Sequence, residues 1–322
     1  QIVRDARVSL VLLGLALLTA VGGSVGLLAA WWTRGRDPVV GDVPEFLTAQ
    51  PDDTPPAVVG ALLDEHVDQR DFVATLVDLG RRGVVGITEQ VQPEVSMERR
   101  MAVTLLEPSA PLAPFERSLL AAIFANAWRR QAQVHLPLRE RAEIGEALAE
   151  VKSLLYSELV ERGYFTSRPP RTRAGWRFAS VGLAMVAAII LGFGVSIPSI
   201  TMWAFLASVV PIGLAVAMYV MAQHMPQKTR AGAEAAARWR AFQRYMAAID
   251  LVDVPDRAQE RFERDLPYAV AFGIERPWIG AFARTGTAAP SWYDTVNLDG
   301  AWMRAGGRAH VGVPVPDVEL PQ

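Results

Sequence analysis

The feature that most constrains this chain is a pair of long runs without a charged side chain. Residues 8–33 (VSLVLLGLALLTAVGGSVGLLAAWWT) hold none, and neither does the stretch from Phe178 to Gln223. A helix crosses a bilayer with about 20 apolar residues, so the first run spans once. The second is too long for one span and is interrupted at Val195-Ser196-Ile197-Pro198-Ser199. The residue before a proline disfavours helix, which predicts two helices, 176–196 and 200–222, joined by a tight turn. Pro211 lies inside the third span and is expected to kink it. Core helices of a soluble protein rarely run so long without charge, and three in one chain argue further against that reading. A secretory signal is the other reading of the first run, but its apolar region is about twice the usual length and no A-x-A site clearly follows. Gly22-Gly23 and Gly26 form a small-residue patch that suits either helix packing or ordinary glycine usage in a span.

The cations set the expected topology. Trp31 and Trp32 close the first run and Arg34 and Arg36 follow, an aromatic belt and then a basic flank. Arg168, Arg171, Arg173, Trp176 and Arg177 stand at the start of the second span, and Lys228 and Arg230 follow the third. Trp31, Trp32, Arg34, Arg36, Arg171, Arg173, Trp176, Arg177, Lys228 and Arg230 are therefore the candidate membrane-interface residues. The positive-inside rule places 34–175 and 224–322 in the cytoplasm and the uncharged turn outside. Three spans then put the N-terminus outside; Arg4 and Arg7 oppose that step and Asp5 partly offsets them. A chain that begins with Gln1 rather than Met is read as lacking an N-terminal piece.

Between the apolar runs the pattern changes. Residues 34–56 are polar and proline-rich and read as a linker. Pro56 suits the first turn of a helix over 56–65. Asp68 and Asp71 form a capping-box pair. Phe72, Val73, Leu76, Val77 and Leu79 then give one apolar face to a helix over 69–82. Gly83 ends it as a C′ glycine. Val84–Thr88 and residues 101–106 read as hairpin strands across a polar loop. Helix, helix, strand, strand is the order of a winged-helix-like module, 57–110. A second such module, 111–175, is suggested by helices at 114–127 and 138–162 and by an echo of Leu79-Gly80-Arg81-Arg82-Gly83-Val84-Val85 in Leu159-Val160-Glu161-Arg162-Gly163-Tyr164-Phe165. After the third span, residues 223–284 read as helical. Trp239, Phe242, Met246 and Ile249 recur at helical spacing and form a candidate partner-binding stripe. A helix over 256–265 follows, and 285–322, rich in Gly, Pro and Ala, read as irregular.

Three stretches together resemble the YciQ-like family of predicted bacterial membrane proteins, a family of unknown function. They are Pro55-Pro56-Ala57-Val58-Val59-Gly60 with Val67-Asp68-Gln69-Arg70-Asp71-Phe72 and Leu79-Gly80-Arg81-Arg82-Gly83; Trp239-Arg240-Ala241-Phe242-Gln243-Arg244-Tyr245; and Leu266-Pro267-Tyr268-Ala269-Val270-Ala271-Phe272-Gly273. The resemblance covers roughly 8–285. It implies the bacterial inner membrane as location, an extracytoplasmic β-rich domain ahead of Gln1, and a glycine-rich tail that this chain lacks. It supplies no catalytic residues.

Composition narrows the chemistry. The chain has 322 residues, 51% of them hydrophobic, and no cysteine. That excludes disulfides, Cys-ligated zinc, iron–sulfur clusters and a thiol nucleophile. His66, His135, His224 and His310 lie far apart, so no H-x-x-x-H pair exists. His66 stands near Asp64, Glu65, Asp68 and Asp71, a cluster better read as a solvated helix end than as a metal site. Neither a Walker A sequence nor a G-x-S-x-G elbow nor a G-x-G-x-x-G loop occurs. The uncharged runs hold no Asp, Glu, Lys, Arg or His at mid-span, which argues against an ion path. Residues 34–110 hold 7 Lys/Arg against 14 Asp/Glu, and 111–177 are net +4 mainly through juxtamembrane arginines. Phosphate binding by the first module would meet strong like-charge repulsion.

The expectation is a mainly α membrane protein. It has three transmembrane helices, α+β winged-helix-like cytoplasmic modules and a helical C-terminal region. No catalytic, cofactor or metal residues are assigned. The bilayer and a protein partner or second copy are the expected partners, and nucleic acid is disfavoured. A membrane-tethered DNA-binding regulator is the alternative.

Overall fold

Over the described residues of the uncharged runs the chain is helical, and most of its large apolar side chains face outward. The computed structural model describes residues 2–91, 99–124, 133–136, 142–195, 201–248, 257–284 and 287–296. It divides into two compact units, one formed by 1–39 and 165–231, the other by 40–164 and 232–322.

The first unit contains α1 (Ile2–Arg34), α6 (Pro169–Val195) and α7 (Thr201–Met221), with a 3-10 turn over Ala222–His224. α7 packs along both α1 and α6. The segments Leu13–Arg34 and Pro169–Gly192 are long and apolar enough to cross a membrane; a shorter apolar helical segment covers Ser208–His224. The apolar stretch of α1 is nowhere buried, and Leu18 and Phe178 are 72% and 78% exposed. The core helix of a soluble protein would hide these side chains, because apolar area left in water forfeits its transfer free energy. The small-residue patch divides between uses. A Cβ on Gly23 would overlap Leu214 of α7, whereas Gly22 and Gly26 have open space beside them. The helix continues through Pro211. The turn expected at 196–199 lies outside the described residues.

The second unit holds α2 (Pro56–Asp64), α3 (Gln69–Arg81), α4 (Pro114–Phe124), α5 (Ala142–Glu161), most of α8 (Arg230–Ala247), α9 (Ala258–Ala271) and α10 (Glu275–Arg284). Its sheet joins β1 (Val85–Val91), β2 (Arg99–Leu105), β3 (Gln133–Leu136) and β4 (Tyr293–Val296) in the order β3-β2-β1-β4. The expected hairpin forms, with Val85 opposite Leu105 and Ile87 opposite Val103. All four side chains are buried, as the period-2 alternation of a half-buried strand requires. The capping box at Asp68 and Asp71 is present. Gly83 has φ +73° and Gly163 has the same value. Val84 N–H donates to Leu79 O and Tyr164 N–H to Leu159 O, both at 2.9 Å. The echoed heptads thus end their helices with the same left-handed Schellman turn, which an L side chain resists.

Several expectations are corrected. The sheet does not stop at residue 110: β3, from the expected second module, pairs with β2, and α5 packs on both α2 and α4. Among the described residues no second hairpin follows Gly163. Phe165 makes one antiparallel bridge, to Lys228, and the chain enters α6 at Pro169, whose fixed φ suits a first helical turn. The tail is not irregular throughout. Tyr293–Val296 pairs parallel with β1, Ile87 opposite Tyr293; its aromatic and β-branched residues carry strand propensity inside a Gly- and Pro-rich context. The helix expected to end at 265 runs on through Pro267 to Ala271.

Candidate functional site

Two sets of residues gather the positions that the sequence singles out, one in each unit. In the first unit the three boundaries between polar and apolar sequence meet at one end. A Cβ on Gly35 would stand 2.9 Å from His224 O. Gln227 Nε2 donates to Arg36 O at 2.6 Å, and Arg173 Nε donates to Gln223 O at 3.4 Å. The end of α1, the start of α6 and the end of α7 are therefore neighbours.

The candidate interface residues do not all point outward there. Trp32 is exposed, and the Arg36 guanidinium lies 4.6 Å from its ring centroid. Trp31 meets Trp32 edge-on at 6.3 Å. Arg34, Arg171, Arg177 and Arg230 are exposed and Trp176 is half-buried. Arg177 lies 5.5 Å from the Tyr219 ring. Lys228 and Arg173, by contrast, are only 2% and 6% exposed. Lys228 Nζ pairs with Asp37 Oδ2 at 3.2 Å, and its backbone N–H donates to Asp37 Oδ1 at 2.9 Å. The ammonium also lies 5.5 Å from the Phe165 ring. A buried ammonium needs such a counter-ion because desolvation of an unpaired charge is costly. Lys228 thus ties together the segments that lead out of α1, into α6 and into α8.

In the second unit the stretches that carry the family resemblance converge. Trp239 and Tyr268 stack with centroids 5.0 Å apart and an interplanar angle of 14°. Phe242 meets Tyr268 and Phe272 edge-on. Trp239, Phe242 and Met246 are fully or nearly fully buried. Trp239 and Phe242 of the proposed partner-binding stripe thus pack on Tyr268 of the chain's own α9, because an apolar face on a 3-4 spacing packs on the nearest complementary face. Ile249 lies outside the described residues.

Two buried polar groups complete this core. Asp71 is 2% exposed; its Oδ2 accepts the Asp68 N–H at 2.8 Å, and its Oδ1 rests where a Cβ on Gly60 would be. Burial pushes this carboxyl well above the usual range, and the Asp68 N–H opposes that only in part. The Tyr268 hydroxyl donates to Thr54 O at 2.9 Å, and Thr54 Oγ1 is 3.1 Å from the Tyr164 hydroxyl. Burial raises the phenol above its ordinary value.

The expected linker is bound across this core. Leu47 N–H donates to Ala241 O at 3.3 Å, Arg244 Nε to Glu45 O at 2.9 Å, and Arg261 Nη2 to Thr48 O at 2.7 Å. Gln50 Nε2 donates to the fully buried Asp265 at 2.8 Å, and Arg264 Nε reaches the same oxygen at 3.0 Å. The strap satisfies its carbonyls with side chains of α8 and α9, the reason a proline-rich segment can lie ordered without forming a ladder. Sequence reading missed it because these partners stand about two hundred residues away. Among the described residues no group of His, Asp and Glu is arranged to hold a metal ion. His66 Nδ1 lies 3.0 Å from Asp64 O.

A family model described as "Predicted membrane protein (DUF2207) C-terminal domain" matches residues 43–282. The chain belongs to this family. The DUF2207 match begins in the strap and ends at Phe282 of α10, so it takes in the whole convergent core together with α6 and α7. No curated protein and no solved structure matches the chain.

Proposed function

We propose that this DUF2207 protein is a non-enzymatic, multi-pass protein of the bacterial inner membrane that presents a folded, acidic interaction unit at the cytoplasmic face. The observation that carries the reading is the packing of the motif residues. Gly60, Asp71, Trp239, Phe242 and Tyr268 contact one another or their neighbours in an interior core, so they build a platform and leave recognition to the surface. That surface belongs to a unit with 22 Lys/Arg against 32 Asp/Glu, which favours a basic protein partner. The same charge opposes the alternative of a membrane-tethered DNA regulator, since phosphate binding needs clustered cations. The α2–α3–β1–β2 order supports a winged-helix-like element within the unit.

Two measurements test this. Cross-linking followed by recovery of the intact protein from gently solubilised membranes is expected to capture a stoichiometric partner or a second copy; a lone monomer under those conditions refutes the scaffold. The absence of cysteine makes orientation direct to read. Ser109→Cys is expected to resist a membrane-impermeant maleimide in intact cells and to react after permeabilisation; labelling in intact cells refutes the cytoplasmic placement.

A further inference from the structure

Charge is sharply segregated between the two units. The first holds ten Lys/Arg against Asp5 and Asp37, although the whole chain is net −2. Eight of those cations fall in 34–39, 165–177 and 222–231, the segments that the structure brings to one end of the helices, where Asp37 is the only acid. Asp37 is already taken by Lys228. Arg34, Arg36, Arg171 and Arg177 are exposed and come from two chain segments more than a hundred residues apart. Arg36 rests on Trp32 and Arg177 on Tyr219. A guanidinium stacked on a ring loses little hydrogen bonding, because its planar N–H rim remains for an oxyanion.

We propose that Arg34, Arg36, Arg171 and Arg177 form a collar that binds the phosphates of anionic phospholipids, selecting them over zwitterionic lipid at this end of the helices. The chemistry fits a lipid surface better than free phosphate. The collar sits at the boundary of the apolar helices, its arginines within a few residues of Trp31, Trp32 and Trp176 in the chain, where headgroups lie. It offers several cations in one rim, which suits many phosphates held in one plane. A free ion would meet each arginine singly and largely screened. Each arginine near an anionic surface is worth about a fivefold bias.

The inference rests on the membrane reading, and the experiment separates the two. The full chain is reconstituted into vesicles of phosphatidylcholine with a minority of phosphatidylglycerol, and its retained lipid is recovered in polymer-bounded discs and quantified. Phosphatidylglycerol is expected to be enriched several-fold over the bulk, and to fall toward the bulk ratio when salt rises from about 0.1 M to about 1 M. Replacing the four arginines by glutamine is expected to abolish the enrichment, while replacing them by lysine retains most of it and controls for folding. A bulk lipid ratio around the unmodified protein overturns the proposal, as does enrichment that survives the glutamine variant. Chain that washes off vesicles in alkaline carbonate overturns the membrane reading, and the lipid proposal with it.

Discussion

The carboxylate of Asp71 sits directly on the bare Cα of Gly60, so that α3 meets α2 through this one side chain, in the space a Cβ would need. Replacing Gly60 by Ala forces a Cβ into Asp71 Oδ1, and packed cores answer such overlap with about 1–3 kcal/mol of destabilisation. Gly60→Ala is expected to lower the thermal midpoint of the full chain in mild detergent. The penalty should shrink in an Asp71→Ala background, where the blocking oxygen is gone. Equal penalties in both backgrounds would show that the contact does not set the cost.

The burial of Asp71 also gives a pH dependence. Its folded-state carboxyl is raised above the ordinary value of 3.8. The folded state therefore holds a proton that the unfolded chain has released, and stability falls as pH rises from that ordinary value toward the raised one. Asp71→Asn removes the titration while keeping an oxygen for the Asp68 N–H. Thermal midpoints across acid to neutral pH are expected to fall more steeply for the native protein than for the variant. Parallel curves would contradict the assignment.

Tyr268 holds the strap through one hydroxyl. Tyr268→Phe keeps the stack on Trp239 but leaves Thr54 O, on a residue 2% exposed, without its donor. A buried acceptor left unpaired costs about 1–3 kcal/mol. Limited proteolysis is expected to cut the variant faster within 43–53, with the helices of the unit cut no faster. Unchanged cleavage there would mean that Arg244, Arg261 and Gln50 hold the strap alone.

Lys228 and Asp37 test the clasp at the other end. Asp37→Asn leaves the buried ammonium with a neutral partner, and breaking a buried pair costs about 3–5 kcal/mol, less here because Asp37 is partly exposed. Asp37→Asn combined with Lys228→Met removes both charges and is expected to recover much of the loss. A double variant no better than Asp37→Asn alone would place the contribution in the Lys228 stem, packed near Phe165, rather than in the charge pair.

Local signals were legible wherever one segment settles its own structure. The capping box at Asp68 and Asp71, the helix-ending Gly83 and the β1–β2 hairpin all form between residues close in the chain. The echo at Leu159–Phe165 was legible as a turn but not as a second module, because a Schellman turn depends on seven residues whereas a strand needs a neighbour. Thus Phe165 has one bridge and Tyr293–Val296, inside an apparently irregular tail, has a whole strand to pair with.

The amino-acid order alone determined that residues 8–33 and the described parts of 178–223 are apolar and helical, since the absence of charge over such lengths follows from composition and needs no contact. It also determined which faces of α3 and α8 are apolar. Only the tertiary structure decided what those faces meet: that Trp239 and Phe242 are spent on Tyr268 and Phe272, that residues 43–56 are a strap rather than a loose linker, and that Lys228 is withdrawn into a pair with Asp37 while its neighbouring arginines stay outside. The physical reason is the same in each case. Burial and pairing are properties of two partners, and here the partners stand from about thirty to more than two hundred residues apart.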